Sequence, residues 1–238
     1  MTYVVSDIHG CYKEFMSLLD KIDLKQSDTL YVLGDVIDRG ADSVKCLKII
    51  MNHPNIKMLM GNHELLMLEA LTHNDIRIRA ERFEIWHDYN GGDSTYAQFK
   101  ALPDHEQIEI IDFISNLPYY EMIKIRSKKY FLVHAGLDCR FRKSREHITT
   151  TIKKQNRSYP DTLVWIRKQF IYNPGLPNWT IVFGHTPTTG IIYCHNDPKV
   201  WKPKSGEKIG IDCGCYNYGM LGSLCLDDMR ELYVSRKR

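Results

Sequence analysis

Apolar and polar residues alternate in blocks along the first part of the chain. Short apolar runs at residues 3–5, 29–33 and 56–60 are typical of buried strands. In the segments between them the apolar residues recur at helical spacing, most clearly in residues 11–22. This alternation of strand and helix predicts an α/β core with largely parallel strands.

The rest of the chain favours other elements. Residues 75–118 have a helical pattern, and the chain after Pro118 favours strands. A hairpin is expected where "YYEMIKI" and "YFLVH" flank the polar turn "RSKK". No internal repeat or low-complexity linker interrupts the pattern, so residues 1–238 are predicted to form a single domain. Further strands are expected at "TIVFGH", "GIIYC", "KIGIDC", "GSLCLD" and "ELYVS".

Polar motifs follow five of the predicted strands at the point where each strand ends. Because open α/β sheets build their sites at the carboxyl ends of strands, these loops are expected to converge. Taken singly, each motif is more often an ordinary turn or a structural histidine, and Asn62 is alternatively a helix N-cap. Five such motifs together favour one shared site. They are Asp7-Ile-His9-Gly, Gly-Asp35-Val-Ile-Asp38-Arg39-Gly, Gly-Asn62-His63-Glu64, His134-Ala-Gly and Gly-His185-Thr.

Six of these side chains suit a metal site. They offer two carboxylates, three imidazoles and one amide oxygen, a mixture that suits manganese, iron or zinc. Six ligands are many for one ion and suit two ions that share a carboxylate, an arrangement that stabilises displacement at phosphorus. The expected ligands are Asp7, His9, Asp35, Asn62, His134 and His185.

Composition and charge narrow the class of protein. Hydrophobic residues make up 43% and charged residues 26% of the chain, as in ordinary globular proteins. No apolar run approaches the roughly 20 residues that span a bilayer, and the N-terminus has no secretory pattern. We therefore expect a cytoplasmic protein without a membrane partner. The net charge of +3 is too small to indicate a stable nucleic-acid partner.

Two further features leave alternatives open. The stretch Arg140–Arg157 holds seven Lys or Arg and one Glu, and is either a solvated face or a basic rim that attracts an anionic substrate. The seven cysteines are scattered, and without an export signal free thiols are expected. Cys213 and Cys215 form a Cys-x-Cys pair, but with no second pair we interpret them as plain thiols rather than zinc ligands.

In this order the motifs resemble the phosphoprotein phosphatase (serine/threonine) family of calcineurin-like metallophosphoesterases, in particular its compact bacterial and phage members. The segment "WHDYNGGDSTYAQF" is similar to their Trp-x-x-x-Asn-Gly-Gly segment. Ser6 stands where that family usually has Gly, which changes the turn but no ligand. The resemblance implies an α/β fold with a central two-sheet β-sandwich flanked by helices.

The resemblance also implies a site with two divalent metal ions, manganese being expected and iron or zinc possible. Asp35 would bridge the ions. His63 would be the general acid that protonates the leaving oxygen, and Asp38 would orient its ring; a neighbouring carboxylate favours the imidazolium that an acid needs. One ion would be held by Asp7, His9 and Asp35, and the other by Asp35, Asn62, His134 and His185.

Two arginines are expected to bind phosphate oxygens, since a planar donor fork matches their geometry. Arg39 follows directly from the second motif. Arg167, in "LVWIRKQF", stands in a Trp-x-Arg context similar to that of the bacterial members, with Arg157 and Arg145 as alternatives. Asp212 would orient a ligand histidine or be a plain strand-end carboxylate.

The leading hypothesis is hydrolysis of phosphoserine or phosphothreonine in proteins, by direct attack of a metal-bridging hydroxide. The alternative is a nucleotide hydrolase resembling symmetrical diadenosine tetraphosphatase. In those enzymes the second motif often lacks the Asp before Arg, and the third often ends in Asp, so Asp38 and Glu64 favour the protein-phosphatase branch. The expected partner is a phosphorylated protein or a nucleotide. A phosphatase of phosphotyrosine or small molecules, a nuclease and a non-catalytic scaffold are further alternatives.

Overall fold

The computed structural model describes residues 1–138, 160–191 and 198–236. The basic stretch Arg140–Arg157 and the cysteines Cys139 and Cys194 lie outside these ranges. None of the helices in the described part combines the length and the apolar character that a membrane span requires.

The elements follow the predicted order closely. The first part of the chain contains β1 (Thr2–Val5), α1 (Tyr12–Ile22), β2 (Thr29–Val32), α2 (Ser43–Asn52), β3 (Ile56–Met58), α3 (Asn62–Thr72), α4 (Ile76–Glu84), a π-helical turn (Ile85–Tyr89), α5 (Asp93–Lys100) and α6 (Asp104–Ser115). The second part contains β4 (Tyr120–Ile125), β5 (Lys128–Val133), α7 (Pro160–Trp165), α8 (Lys168–Ile171), β6 (Thr180–Phe183), α9 (Thr188–Ile191), β7 (Lys208–Gly210), α10 (Cys215–Tyr218), β8 (Met220–Cys225) and β9 (Glu231–Ser235).

The described strands form two mixed sheets, in the orders β3-β2-β1-β8-β9 and β4-β5-β6-β7. In the first sheet β1, β2 and β3 are parallel, and β8 and β9 add antiparallel neighbours. In the second sheet β5, β6 and β7 are parallel, and β4 pairs antiparallel with β5. The predicted α/β fold with two sheets and flanking helices is confirmed.

Buried apolar side chains fill three layers of the described structure. Val4 from the first sheet and Leu132 from the second belong to one cluster, which holds the sheets together. The opposite side of the first sheet packs against helices through residues such as Phe15 of α1. Phe170 of α8 belongs to the cluster that covers the second sheet. Because both sheets are covered by apolar residues, the parallel strands can lie inside the molecule.

Two local predictions need correction. The hairpin turn between β4 and β5 is shorter than "RSKK": only Arg126 and Ser127 lie between the strands, and Arg126 has φ 54°, as tight hairpin turns require. The strand expected at "GIIYC" is wrong at its start, because Gly190 and Ile191 belong to helix α9. The Gly190 N–H donates to the Pro187 carbonyl at 2.9 Å, a bond of a local helical turn rather than of a strand pair. Residues 192–194 lie outside the described residues.

The layer between the sheets predicts a large stability cost for a cavity there. Leu132 is fully buried, so Leu132→Ala should lower the free energy of unfolding by about 2–5 kcal/mol. Ile108→Ala is the matched control, because this apolar side chain on α6 is 60% exposed and its loss should change the free energy by less than about 0.5 kcal/mol. Urea denaturation measures both, and equal losses would contradict this description of the core.

Candidate metal centre

The loops that follow β1, β2, β3, β5 and β6 meet at one end of the sandwich, as expected for the carboxyl ends of parallel strands. They surround a cavity of about 110 Å³. His134 lies against this group, with its Nε2 2.9 Å from Asn62 Oδ1. The structure therefore brings the predicted site residues together. Those that line the cavity are Asp7, His9, Asp35, Arg39, Asn62, Arg167 and His185.

One compact group of possible ligand atoms comes from Asp35, His134 and His185, all within 4.8 Å of one another. His134 Nε2 lies 3.3 Å from Asp35 Oδ2 and 3.2 Å from His185 Nδ1. Asn62 Oδ1 approaches the same imidazole nitrogen. This arrangement has the composition of the four-ligand set expected for one of the two ions.

A second compact group comes from His9, Asp35 and His63, also within 4.8 Å. Asp7 is not part of that group, but its Oδ1 lies 4.0 Å from His9 Nε2. Its other oxygen, Oδ2, accepts hydrogen bonds from the Ser6 hydroxyl and from the His185 backbone N–H at 2.9 Å. Asp7 thus has one oxygen held by the protein and one directed toward His9. Ser6, expected to change only the turn, in fact contacts a predicted ligand.

Backbone carbonyls orient the three predicted ligand histidines. His9 Nδ1 donates to Ile37 O at 2.9 Å, and His134 Nδ1 donates to Leu33 O at 2.6 Å. His185 Nε2 is 3.3 Å from Trp165 O. The other nitrogen of each ring is left facing the centre, as metal-ligating histidines require.

Asp212 does not take the orienting role considered for it. Its Oδ1 accepts a hydrogen bond from the Gly214 backbone N–H at 2.8 Å, although the residue lies in the cavity wall. Backbone carbonyls serve the histidines instead, and such contacts leave no signature in side-chain identity.

The backbone that carries the centre is unusual. Four of the predicted ligands have positive φ: 55° at Asp7, 46° at His9, 54° at Asp35 and 62° at His185. L-residues rarely adopt this left-handed conformation, and it concentrates at functional sites. The motif glycines are the only sequence signal for it, and they mark the loops rather than the strained residues.

Glu64 holds two of these loops together. Its buried carboxylate accepts hydrogen bonds from the backbone N–H groups of Asp35, Val36 and Ile37 at 2.9, 2.8 and 3.3 Å. It also accepts from Gly61 N–H at 3.2 Å, at the start of α3. Sequence reasoning used Glu64 only as a marker of substrate class and missed this role. Gly61, rather than Asn62, is the N-cap of α3.

The two loops touch backbone to backbone. A Cβ on Gly34 would lie 2.6 Å from the Cα of Gly61, and Gly34 has φ 87°. Only glycine fits this conformation at this distance. The contact places Asp35 and Asn62 beside each other in space.

Burial and charge shift the pKa values of the centre. Burial lowers the pKa of His134, but the Asp35 carboxylate outweighs it and raises the value to about 9. The pKa of Asp35 is held well below its usual range because His134 and His63 together outweigh the effect of burial. Burial and the neighbouring Asp35 charge raise the pKa of Glu64 to about 7, against the opposing effect of its backbone donors. The pKa shifts of Asp35 and His134 therefore indicate that a positive charge beside the Asp35 carboxylate is favourable.

Two guanidinium groups reach the centre. Arg39 donates from Nη1 to His9 Nε2 and from Nη2 to His63 Nε2, each at 2.9 Å. Arg167 donates from Nη1 to the His185 backbone oxygen at 2.6 Å. Both arginines predicted to bind phosphate thus lie at the mouth of the cavity. The alternatives Arg145 and Arg157 lie outside the described residues.

The residues present fit divalent metal ions. Buried carboxylates need a compensating charge, and two of the predicted ligands are such carboxylates, Asp7 and Asp35, both 3% exposed or less. The imidazole nitrogens that face them belong to rings already fixed by carbonyls. This oxygen and nitrogen donor set suits manganese, iron or zinc and does not choose among them. A cation on His9 Nε2 would displace the Arg39 guanidinium from that atom.

The described cysteines are free thiols, as predicted. Cys11, Cys46, Cys213, Cys215 and Cys225 are all buried.

The family model for calcineurin-like phosphoesterases matches residues 2–215, so the chain belongs to the calcineurin-like phosphoesterase family. Members of this family use a binuclear metal centre. The predicted membership of the calcineurin-like metallophosphoesterases is thereby confirmed, and the match does not reach the phosphoprotein phosphatase branch within that family.

Curated relatives give a finer comparison. The chain is 34% identical to a symmetrical bis(5'-nucleosyl)-tetraphosphatase of Haemophilus ducreyi, over 57% of this chain and 45% of that protein. It is 41% identical to the protein of the same name from Erwinia tasmaniensis, over 57% of this chain and 44% of that protein. The chain therefore spans less than half the length of the curated relatives that it matches.

A solved structure agrees in fold. A chain provisionally assigned as a diadenosine tetraphosphatase superimposes with a TM-score of 0.64 at 21% identity, covering 99% of this chain and 93% of that one. At this sequence identity, the similarity between the two structures is evidence of a shared fold alone.

The leading functional hypothesis, hydrolysis of phosphoserine and phosphothreonine in proteins, is wrong by these comparisons. The matching curated relatives are named as nucleotide hydrolases, which favours the alternative. The two residues that pointed to the protein-phosphatase branch have structural roles. Asp38 pairs with His63, and Glu64 ties two loops, and neither contact reports the substrate.

The shared position of Asp35 predicts that both ions depend on it. Asp35→Asn removes the charge of the proposed bridging carboxylate, so tight binding of both ions should be lost. Elemental analysis after gel filtration in manganese measures this, with about two ions per chain expected for the unaltered protein. Asp104→Asn, an exposed carboxylate on α6, is the control and should leave metal content unchanged. Full occupancy in Asp35→Asn would contradict the assignment.

Proposed function

We propose that this chain hydrolyses a dinucleoside tetraphosphate, with symmetrical cleavage into two nucleoside diphosphates. The observation that carries the proposal is the similarity to symmetrical bis(5'-nucleosyl)-tetraphosphatases at 34% and 41% identity. The geometry of the mouth of the centre supports it, because cationic and aromatic groups lie around the same cavity.

The metal ligands of the proposal are Asp7, His9, Asp35, Asn62, His134 and His185. Metal ions held there would polarise a phosphoryl oxygen and lower the pKa of water, so that a nucleophile forms near neutral pH. The chain contributes the fixed positions of these ligands. Asp35 Oδ2 faces both groups, with His134 Nε2 at 3.3 Å and His9 Nε2 at 3.7 Å, as a shared ligand requires.

His63 is the proposed general acid. Its Nδ1 is 2.7 Å from Asp38 Oδ2, which leaves Nε2 directed toward the centre, 3.9 Å from Asp35 Oδ2. Burial lowers the pKa of His63, but the nearby carboxylates Asp35 and Asp38 outweigh it and raise the value. A raised pKa favours the protonated ring that an acid for the leaving phosphate oxygen needs.

Arg39 and Arg167 are the proposed phosphate contacts. A tetraphosphate chain carries several negative charges, and a guanidinium fork binds phosphate oxygens in pairs. Arg39 donates to both His9 and His63 in this structure. Phosphate oxygens would therefore compete with these two rings for the N–H groups of the guanidinium. Its release from His63 Nε2 would free that atom to carry the proton for the leaving group.

Two partly exposed aromatic rings beside the centre suit the nucleobases. The Trp165 ring lies edge-on to His185, with centroids 5.9 Å apart, and the side chain is 39% exposed. Tyr216 lines the cavity and is 37% exposed, with the Arg236 guanidinium 5.4 Å from its ring. Stacking of a base on such a ring contributes about 1–3 kcal/mol.

A direct comparison of substrates tests the proposal. Diadenosine tetraphosphate and a phosphothreonine peptide are offered at matched concentrations with manganese, and nucleoside diphosphate and phosphate are quantified by chromatography. We expect ADP as the product of the dinucleotide and a much higher kcat/KM for it than for the peptide, because the peptide has no second phosphate or base to bind. Preference for the peptide would overturn the proposed substrate and leave the metal centre untouched.

The acid role of His63 predicts a loss that depends on the leaving group. His63→Asn should slow hydrolysis of phenyl phosphate by roughly 10²–10⁴-fold, and that of p-nitrophenyl phosphate much less, because nitrophenolate leaves without a proton. Steady-state rates on both esters measure this. His105→Asn, an exposed histidine on α6, is the control. Equal losses on the two esters would argue against the acid role.

A further inference from the structure

Trp86 touches the partner of the proposed acid. Its indole Nε1–H donates to Asp38 Oδ2 at 2.9 Å, the same oxygen that lies 2.7 Å from His63 Nδ1. All three side chains are buried, with at most 1% of their surface exposed. A carboxylate removed from water needs hydrogen-bond donors, and Asp38 receives both of its side-chain donors on one oxygen. Asp38 Oδ1 has no hydrogen-bond partner among the described residues.

Two donors on one oxygen fix the rotation of the Asp38 carboxylate. If the group turned about its bond to Cβ, Oδ2 would leave the indole and the imidazole together. The backbone of Asp38 is held as well, because its N–H donates to Ser43 Oγ at 3.0 Å and to Thr95 Oγ1 at 2.9 Å. The residue needs such support, since its φ is 72°.

Contacts within residues Ile85 to Thr95 hold the Trp86 indole in position. Trp86 lies in the π-helical turn, a distortion that often occurs at functional sites. The Asn90 side chain donates to the Ile85 carbonyl at 2.7 Å and braces that turn. A Cβ on Gly92 would lie 2.6 Å from Trp86 Nε1, so glycine there leaves room for the ring. The same stretch supplies the Thr95 contact to Asp38.

We propose that Trp86 is a positioning residue for the general acid: its indole N–H holds the Asp38 carboxylate, which in turn aims the His63 ring at the leaving oxygen. This inference rests on the proposed acid role of His63 and is independent of which phosphate ester is the substrate. It gives a role to the Trp-x-x-x-Asn-Gly-Gly segment. Packing alone would require the ring of Trp86 and not its N–H.

Removal of the N–H with the ring retained tests the proposal. Trp86→Phe should lower kcat about 10-fold with KM changed less than about twofold, the usual weight of a group that supports a functional side chain. In the His63→Asn background the same change should alter kcat by less than about twofold, because the acid that Trp86 serves is absent. Losses that multiply in the double variant would overturn the proposal. Both diadenosine tetraphosphate and phenyl phosphate are used, so failure of the proposed substrate is seen separately, as absence of dinucleotide turnover by the unaltered protein.

A second variant and a spectroscopic readout guard against a folding defect. Replacement of Trp86 by 3-benzothienylalanine keeps the ring shape and replaces the N–H with sulfur, and should reproduce the kinetic loss. Phe83→Leu alters packing against Trp86, whose ring centroid is 6.2 Å away, without removing the N–H, and should leave kcat within about twofold.

The proton on His63 Nδ1, seen by NMR in histidine-labelled protein, should shift in both Trp86 variants and not in Phe83→Leu. An unchanged resonance in the Trp86 variants, or an equal kinetic loss in Phe83→Leu, would overturn the proposal.

Discussion

The geometry of the centre depends on the buried carboxylate of Glu64. It accepts backbone hydrogen bonds from Asp35, Val36 and Ile37 on one loop and from Gly61 on the next. Loss of this acceptor would leave its buried backbone donors unpaired, at a cost of about 1–3 kcal/mol each. Asp35, the proposed shared ligand, and the α3 residues that follow Gly61 are therefore placed relative to each other by one side chain. Any movement of that side chain would move both predicted ion sites.

The sandwich makes a second contribution, since it holds strained backbone in place. Asp7, His9, Asp35 and His185 lie at strand ends with positive φ, a conformation that costs of order 1–3 kcal/mol at each residue. Buried parallel strands fix the positions from which these loops start. Cross-loop contacts then hold the loops, as when the His185 N–H donates to Asp7 Oδ2. Burial in the apolar layers offsets the cost of this strained backbone. As a result, the predicted ligand side chains are already held in position before a ligand binds.

The proposed substrate differs from the one that two motif residues favoured. Asp38 and Glu64 differ from what a tetraphosphatase often has, and that difference favoured a protein phosphatase. In the structure Asp38 supports His63 and Glu64 supports two loops. Both contacts lie within the protein, so neither distinguishes one phosphate ester from another. Under the proposed function the substrate is selected at the cavity, which Arg167 and Tyr216 line and beside which the Trp165 ring packs on His185. The five strand-end motifs include none of these three residues.

The sequence by itself determined the order of strands and helices, the convergence of five motifs and the types of ligand atom. These follow from local periodicity and from the rule that parallel strands end together. Local pattern failed where neighbours decided the outcome, as at Gly190, where a helix forms after a proline.

Only the tertiary structure decided which side-chain and backbone atoms form hydrogen bonds with one another. Ser6 contacts the carboxylate of Asp7, carbonyls orient the predicted ligand histidines, and Trp86 donates to Asp38 across 48 residues of chain. The contact between Asp7 and His185 joins residues 178 positions apart. Such contacts depend on how separate loops pack in three dimensions. A single sequence records the residue types that make them, while the distances between those residues exist only once the sheets have assembled.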